Sequence, residues 1–141
     1  MRMQELEANY QRFEETKAAY NKAKKEHDKA AAEEAWDAYQ GLEEETEAKG
    51  KDYELMMRLY RTMKERGNDY LSVDGHDYDD EERLLEIFRE YGVEAFTFTC
   101  TSTNALDRAW NFQKAGAQNK GIVEIKGRRS DKEHGFLFTL N

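Results

Sequence analysis

Three groups of residues in this chain are of types that do chemistry. They are the acidic run from Asp74 through Asp77, Asp79 and Asp80 into Glu81, Glu82 and Glu86, the single cysteine Cys100, and the basic loop from Gly127 to Lys132. Crowded carboxylates with a neighbouring His76 are what a hard cation or a transition metal takes as ligands. The spacing departs from a calcium loop, which sets acids at alternate positions, a glycine at the sixth and a bidentate Glu at the twelfth. Helix capping accounts for Asp79 and Glu82 without an ion, because a carboxylate is favoured at a helix N-terminus. No metal and no cofactor is therefore expected.

Cys100 stands between a strand and a helix, where a thiolate gains from the helix N-terminus. A phosphatase-like loop would set an arginine six residues on; that place is Leu106, and the arginine is Arg108. Thr101 to Asn104 also lacks the glycines that let backbone amides cradle a phosphate. The expectation is a buried cysteine continuing the Phe96–Phe98 face. His27, His76 and His134 are scattered, and no nucleotide-binding glycine motif occurs. The basic loop has no interleaved aromatic for base stacking and reads as a solvated hairpin loop. No catalytic residue emerges, and an enzyme is not expected.

The elements that must position these residues fall into two parts. Residues 1–67 form a helical arm or helical hairpin, rich in Ala, Glu, Lys and Gln. Leu6, Tyr10, Phe13, Lys17, Tyr20, Lys24, His27 and Ala31 make a heptad-like seam that suits an antiparallel hairpin. Gly41 or Gly50 is the expected interruption. A further helix is expected over Asp52–Arg66, stopped by Gly67, with Tyr53, Met56, Met57, Tyr60 and Met63 on one stripe. That stripe is core or a Met-rich partner surface.

Residues 68–141 form a small α/β unit. A short strand is expected at Tyr70–Val73, then a helix capped by Asp79 with Glu82 three residues on. Leu84, Ile87, Phe88 and Tyr91 give its buried face and Gly92 its end. The alternation of Phe96, Phe98 and Cys100 marks a strand over Val93–Cys100. Thr101 to Asn104 should cap a helix ending at Gly116. Gly121–Lys126 and Phe136–Leu140 then read as strands joined by a polar loop from Gly127 to Gly135. The fold class is α+β: a long helical arm followed by a three- or four-stranded sheet with helices.

Composition narrows the function classes. The chain has 141 residues, no proline and a net charge of −8, which disfavours a uniformly basic nucleic-acid binder. One cysteine excludes an internal disulfide or a multi-cysteine zinc site. No apolar run nears the roughly 20 residues of a membrane span, and the first ten residues have no signal-peptide core. The expected setting is cytoplasmic. The acid is concentrated: Asp69 to Glu94 carries ten acidic residues against two basic.

The run Tyr91 to Phe98, then Ala109 to Gly116, then Gly121 to Ile125, resembles small phage and mobile-element proteins of Gram-positive bacteria. The likeness covers the last third to half of the chain and carries no catalytic motif. It implies the company of inhibitors of host defence, anti-CRISPR proteins among them. The expected function is a non-enzymatic inhibitor that blocks a host nucleic-acid-handling protein, a Cas nuclease for instance, through a DNA-mimicking acidic surface. The candidate partner-binding residues are Asp74, Asp77, Asp79, Asp80, Glu81, Glu82 and Glu86. Two alternatives stay open. One is an oligomerisation module that forms a homodimer through the N-terminal arm as a coiled coil. The other is a metal-dependent nucleic-acid enzyme built on Asp74–Asp80.

Overall fold

A computed structural model describes residues 2–128 and 131–140; Arg129 and Ser130 of the expected basic loop lie outside the described residues. Among the described residues, five helices and four strands follow in the order α1 (Arg2–Lys25), α2 (Lys29–Ala48), α3 (Lys51–Arg66), β1 (Leu71–Asp74), α4 (Glu81–Tyr91), β2 (Ala95–Thr99), α5 (Ala105–Lys114), β3 (Gln118–Lys126) and β4 (Lys132–Thr139). The architecture is α+β, a long helical region followed by a small mixed sheet. The chain divides into two compact units, Gln4–Arg58 and Leu59–Asn141 with Met1–Met3.

In the first unit α1 and α2 form an antiparallel hairpin. The long helical stretch breaks at Glu26–Asp28, where His27 takes a φ of 56°, and not at Gly41, which lies inside α2. Asp28 fixes the restart by accepting a hydrogen bond from Ala31 N at 3.1 Å, an N-cap that is worth about 1 kcal/mol. The expected Gly50 does separate α2 from α3, with φ 105°. Pairing runs backwards along the two helices. Asn9 Nδ2 donates to Thr46 Oγ1 at 3.1 Å, Phe13 meets Tyr39 edge-on at 5.3 Å, and Tyr20 meets Trp36 at 5.8 Å.

The heptad-like seam is buried at Leu6 and Phe13, half-buried at Tyr10 and Tyr20, and exposed at Lys24 and His27. On α3, Tyr53, Met56 and Met57 are buried, so the methionine stripe is core rather than a partner surface.

The second unit is a βαβαββ arrangement with strand order β1-β2-β4-β3. β1 runs parallel to β2 with Val73 beside Phe98, and β2 runs antiparallel to β4 with Phe98 beside Phe136. β4 is inserted between β2 and β3, so the last strand in sequence is central in space. Both helices pack on one face of β2. Phe88 of α4 lies 5.0 Å from Phe96, and Phe112 of α5 lies 5.2 Å from Phe96 and 5.1 Å from Phe98. Phe138 of β4 stacks on Phe96 at 5.4 Å. These rings are essentially inaccessible to solvent, and each edge-to-face pair adds roughly 1 kcal/mol beyond its burial.

The last two strands are longer than their sequence pattern indicates. β3 starts at Gln118 rather than Gly121, and β4 at Lys132 rather than Phe136. The polar residues Gln118, Asn119 and Lys120 sit exposed on the edge strand, where alternation carries no burial signal, and a register shift between Asn119 and Ile122 interrupts it. The expected loop Gly127–Gly135 shrinks accordingly, and His134 stands opposite Glu124 in the ladder. The loop after α3 is tied to the edge strand. Asn68 Nδ2 donates to Lys126 O at 2.9 Å, and Lys126 N donates back to Asn68 Oδ1 at 2.9 Å.

Candidate protein-interaction site

The acidic run follows β1 and ends in the first turn of α4, so its shape depends on what holds the loop Gly75–Asp80. Short-range bonds close the first turn. Asp77 Oδ2 accepts from Asp74 N at 2.7 Å, Asp74 Oδ1 accepts from His76 N at 2.9 Å, and Asp77 N donates to Asp74 O at 2.9 Å. At its end Asp80, not Asp79, is the N-cap of α4, accepting from Arg83 N at 3.1 Å. The expected capping box from Asp79 to Glu82 therefore does not form. Position N3 belongs to Arg83, whose side chain has no acceptor to offer back. Gly92, left-handed at φ 80°, ends α4 as expected.

A long-range clamp fixes the middle of the loop. Arg108 of α5 is buried, and its guanidinium donates from Nη1 to Gly75 O, from Nη2 to Tyr78 O, and from Nε to Glu81 Oε1 at 3.4 Å. Asn111 Nδ2 donates to the same Glu81 oxygen at 3.1 Å. The guanidinium carbon also lies 5.3 Å from the Phe98 ring centre. A buried charge is tolerable only when paired and hydrogen-bonded; here one cation meets a carboxylate and two backbone carbonyls. Gly75 is required by the closeness of this packing. A Cβ there would stand 2.7 Å from Cys100 Sγ and 3.1 Å from Arg108 Nη1.

The seven candidate residues are thus sorted by the clamp. Asp74, Asp79, Asp80, Glu82 and Glu86 are exposed, and Asp77 is half-buried within the turn. Glu81 is a correction: at 6% exposure it faces inward to Arg108 and Asn111 and belongs to the support, not to the acidic face. Glu86 is engaged by Arg83 at 2.9 Å. Asp79, Asp80, Glu82, Asn111 and Lys114 line an open cleft of about 570 Å³ between the start of α4 and α5. Among the described residues no group of three or more His, Cys, Asp or Glu side chains converges to hold a metal ion.

Arg108 was legible only as the arginine that misses the phosphatase position. Its guanidinium is committed to Gly75, Tyr78 and Glu81. Cys100 is also a correction, half-exposed rather than buried. Its Sγ lies 3.0 Å from Ser102 Oγ. The Ser102 hydroxyl foremost, with the Ser102 backbone and the charge of Arg108 behind it, holds the thiol below its ordinary pKa against the opposing effect of burial. Asn104 does not cap α5 with its side chain, which turns to Ser102 and Cys100 instead. On α5 the inner face is Arg108, Ala109 and Phe112, while Leu106 and Trp110, one turn apart, are left 75% and 57% exposed. These two exposed large apolar side chains on the outer face of α5 carry no signal in the spacing of the sequence.

No curated protein matches the chain, and no solved structure matches it. Residues 55–136, more than half of the chain and including α4, the sheet core and α5, match the family model of a domain of unknown function, DUF7698, and the chain belongs to that family.

Proposed function

We propose that the protein is a non-catalytic binding module that inhibits a nucleic-acid-handling partner by seating its acidic face in that partner's basic groove. The observation that carries this reading is the Arg108 clamp. A loop of carboxylates on a mobile segment would lose entropy on binding, whereas a loop held by Arg108 at Gly75, Tyr78 and Glu81 is pre-organised. Asp74, Asp79, Asp80 and Glu82 then supply a fixed field that steers a cationic groove into place. Trp110 and Leu106, exposed on α5, the helix whose Asn111 and Lys114 line the cleft, provide apolar contact area, which charge alone does not, and tryptophan is enriched at binding hot spots. A Cas nuclease, with its channel for a charged heteroduplex, is the specific partner proposed. The setting proposed for this encounter is cytoplasmic.

The test is affinity capture from a host lysate through a salt series, followed by an activity assay on the captured enzyme. Replacing Asp77, Asp79 and Asp80 by Asn removes three charges and keeps an acceptor oxygen at the turn and at the cap. The expected result is capture of one nucleic-acid enzyme, its inhibition, and loss of both with the triple Asn variant. Capture and inhibition that are indifferent to salt and to the triple variant would eliminate the acidic-mimic mechanism.

A further inference from the structure

The sheet has a second face, and Thr97 marks a cavity on it. In β2 the rings of Phe96 and Phe98 turn toward α4 and α5, so strand alternation points the Thr97 side chain the other way. Ile122 stands opposite Phe136, itself opposite Phe98, and so shares the ring face. Val123 and Ile125 of β3 flank that period and therefore lie on the same side as Thr97. These three residues, with the loop Gly67–Tyr70, line a cavity of about 240 Å³. Thr97 is 1% exposed, and its Oγ1 has no hydrogen-bond partner among the described residues. A hydroxyl buried in that state costs free energy unless a bound molecule supplies the missing bond.

The loop that walls the cavity is pinned. Asn68 and Lys126 exchange two hydrogen bonds of 2.9 Å, and Lys126 Nζ donates to Gly67 O at 3.3 Å. Binding against a wall already fixed loses little ordering entropy. We infer that the cavity is a site for a small zwitterion, a free amino acid whose side chain ends in a hydrogen-bonding group. Volume sets the size, since 240 Å³ falls below the roughly 300 Å³ at which cavities begin to take drug-sized ligands. Charge sets the ends. Lys126 and Asp69 both line the cavity and are exposed, so an ammonium and a carboxylate stand at its mouth. The lysine suits a carboxylate and the aspartate an ammonium, and an α-amino acid carries both on one carbon. Glu124 does not compete, because Lys132 engages it at 3.6 Å. The interior sets the rest. Val123 and Ile125 offer apolar surface to a side-chain stem, and the Thr97 hydroxyl, which can donate and accept, meets the polar tip. None of these residues belongs to the acidic cleft, so the inference does not rest on the proposed inhibitor activity.

Amide chemical-shift mapping of the full chain with each standard amino acid at millimolar concentration tests it, with urea denaturation following each variant. A polar-tipped amino acid should shift Thr97, Val123 and Ile125 and raise the unfolding midpoint. Its methyl ester and its N-acetyl derivative each lack one charge and should bind about tenfold more weakly, as should the unmodified amino acid to Asp69→Asn. Thr97→Val removes the hydroxyl and keeps the shape. Without ligand it should be no less stable than the wild type, since no hydrogen bond is lost, yet it should bind about tenfold more weakly. The inference is overturned if no amino acid shifts these amides, or if binding is indifferent to esterification and N-acetylation. Undiminished binding by Thr97→Val would overturn it as well. So would a loss of stability in ligand-free Thr97→Val, because the hydroxyl would then serve a structural water.

Discussion

Arg108 Nε stands 3.4 Å from Glu81 Oε1 across 27 residues of sequence, with both side chains almost wholly excluded from solvent. Through this pair α5 governs the shape of a loop that belongs to α4. The buried charges are satisfied jointly by Gly75, Tyr78 and Asn111, so removing either partner leaves the other without its counter-charge.

Replacing Arg108 by Met is therefore expected to cost about 3–5 kcal/mol, the range for breaking one side of a buried ion pair. Glu81→Gln keeps a hydrogen-bond acceptor and should cost less. Urea denaturation measures both. Amide exchange in Gly75–Tyr78 should accelerate in the Arg108 variant by more than the global loss of stability explains, because the carbonyls of Gly75 and Tyr78 lose their donor.

Phe112 meets Phe96, Phe98 and Phe138 at 5.2, 5.1 and 5.3 Å. Phe112→Ala should cost about 3–5 kcal/mol through lost burial and the cavity left among the remaining rings. Trp110→Ala, on the opposite side of the same helix and mostly exposed, should change stability by no more than about 0.5 kcal/mol. Thermal or chemical unfolding of the two variants distinguishes the packing face of α5 from its free face.

At the start of α4, Asp80→Ala removes the cap to Arg83 N and should cost about 1 kcal/mol. Asp79→Ala should have a smaller effect, since Asp79 is not the cap. Equal losses at the two positions would return the capping role to a shared turn.

Alkylation of Cys100 by iodoacetamide should show a pH midpoint below that of an ordinary thiol, because Ser102 and then Arg108 favour the thiolate over the effect of burial. Ser102→Ala should move the midpoint upward. A midpoint unchanged by that substitution would deny the Ser102 hydroxyl its role.

In the hairpin, Arg12 grips both carboxylate oxygens of Glu45 at 3.1 Å, which lowers the Glu45 pKa, first through the hydrogen bonds and then through charge. For an acid with a depressed folded value, the contribution to stability is full above the unfolded value and is lost as pH falls through the folded one. The pair is exposed, so its contribution is small. Carbon-detected titration of Glu45 should give a midpoint below the ordinary glutamate value, rising toward it in Arg12→Ala.

Local patterns determined much of this fold. Apolar spacing placed α3, α4 and β2 within a residue or two, because burial of one face imposes its period on neighbouring residues whatever the partner is. Gly92 ended α4 because a left-handed cap is cheapest without a Cβ. The α+β class followed from the helix-rich first half and the strand alternation in the second. The acidic run was equally legible, since composition does not depend on contacts.

Tertiary structure decided the rest. Whether Glu81 faced solvent or the core depended on Arg108 and Asn111, residues 27 and 30 positions away, which no period of 3.6 can reveal. The insertion of β4 between β2 and β3 depended on pairing across the sheet, and the extended length of both strands on a ladder of polar residues without a burial signal. The hairpin broke at His27 rather than at Gly41 because the Asp28 cap and the aromatic pairs across the hairpin set where the helices turn, and a helix interior tolerates one glycine for about 1 kcal/mol. Spacing along the chain encodes which face is apolar; only the packed molecule selects the charge that stays outside.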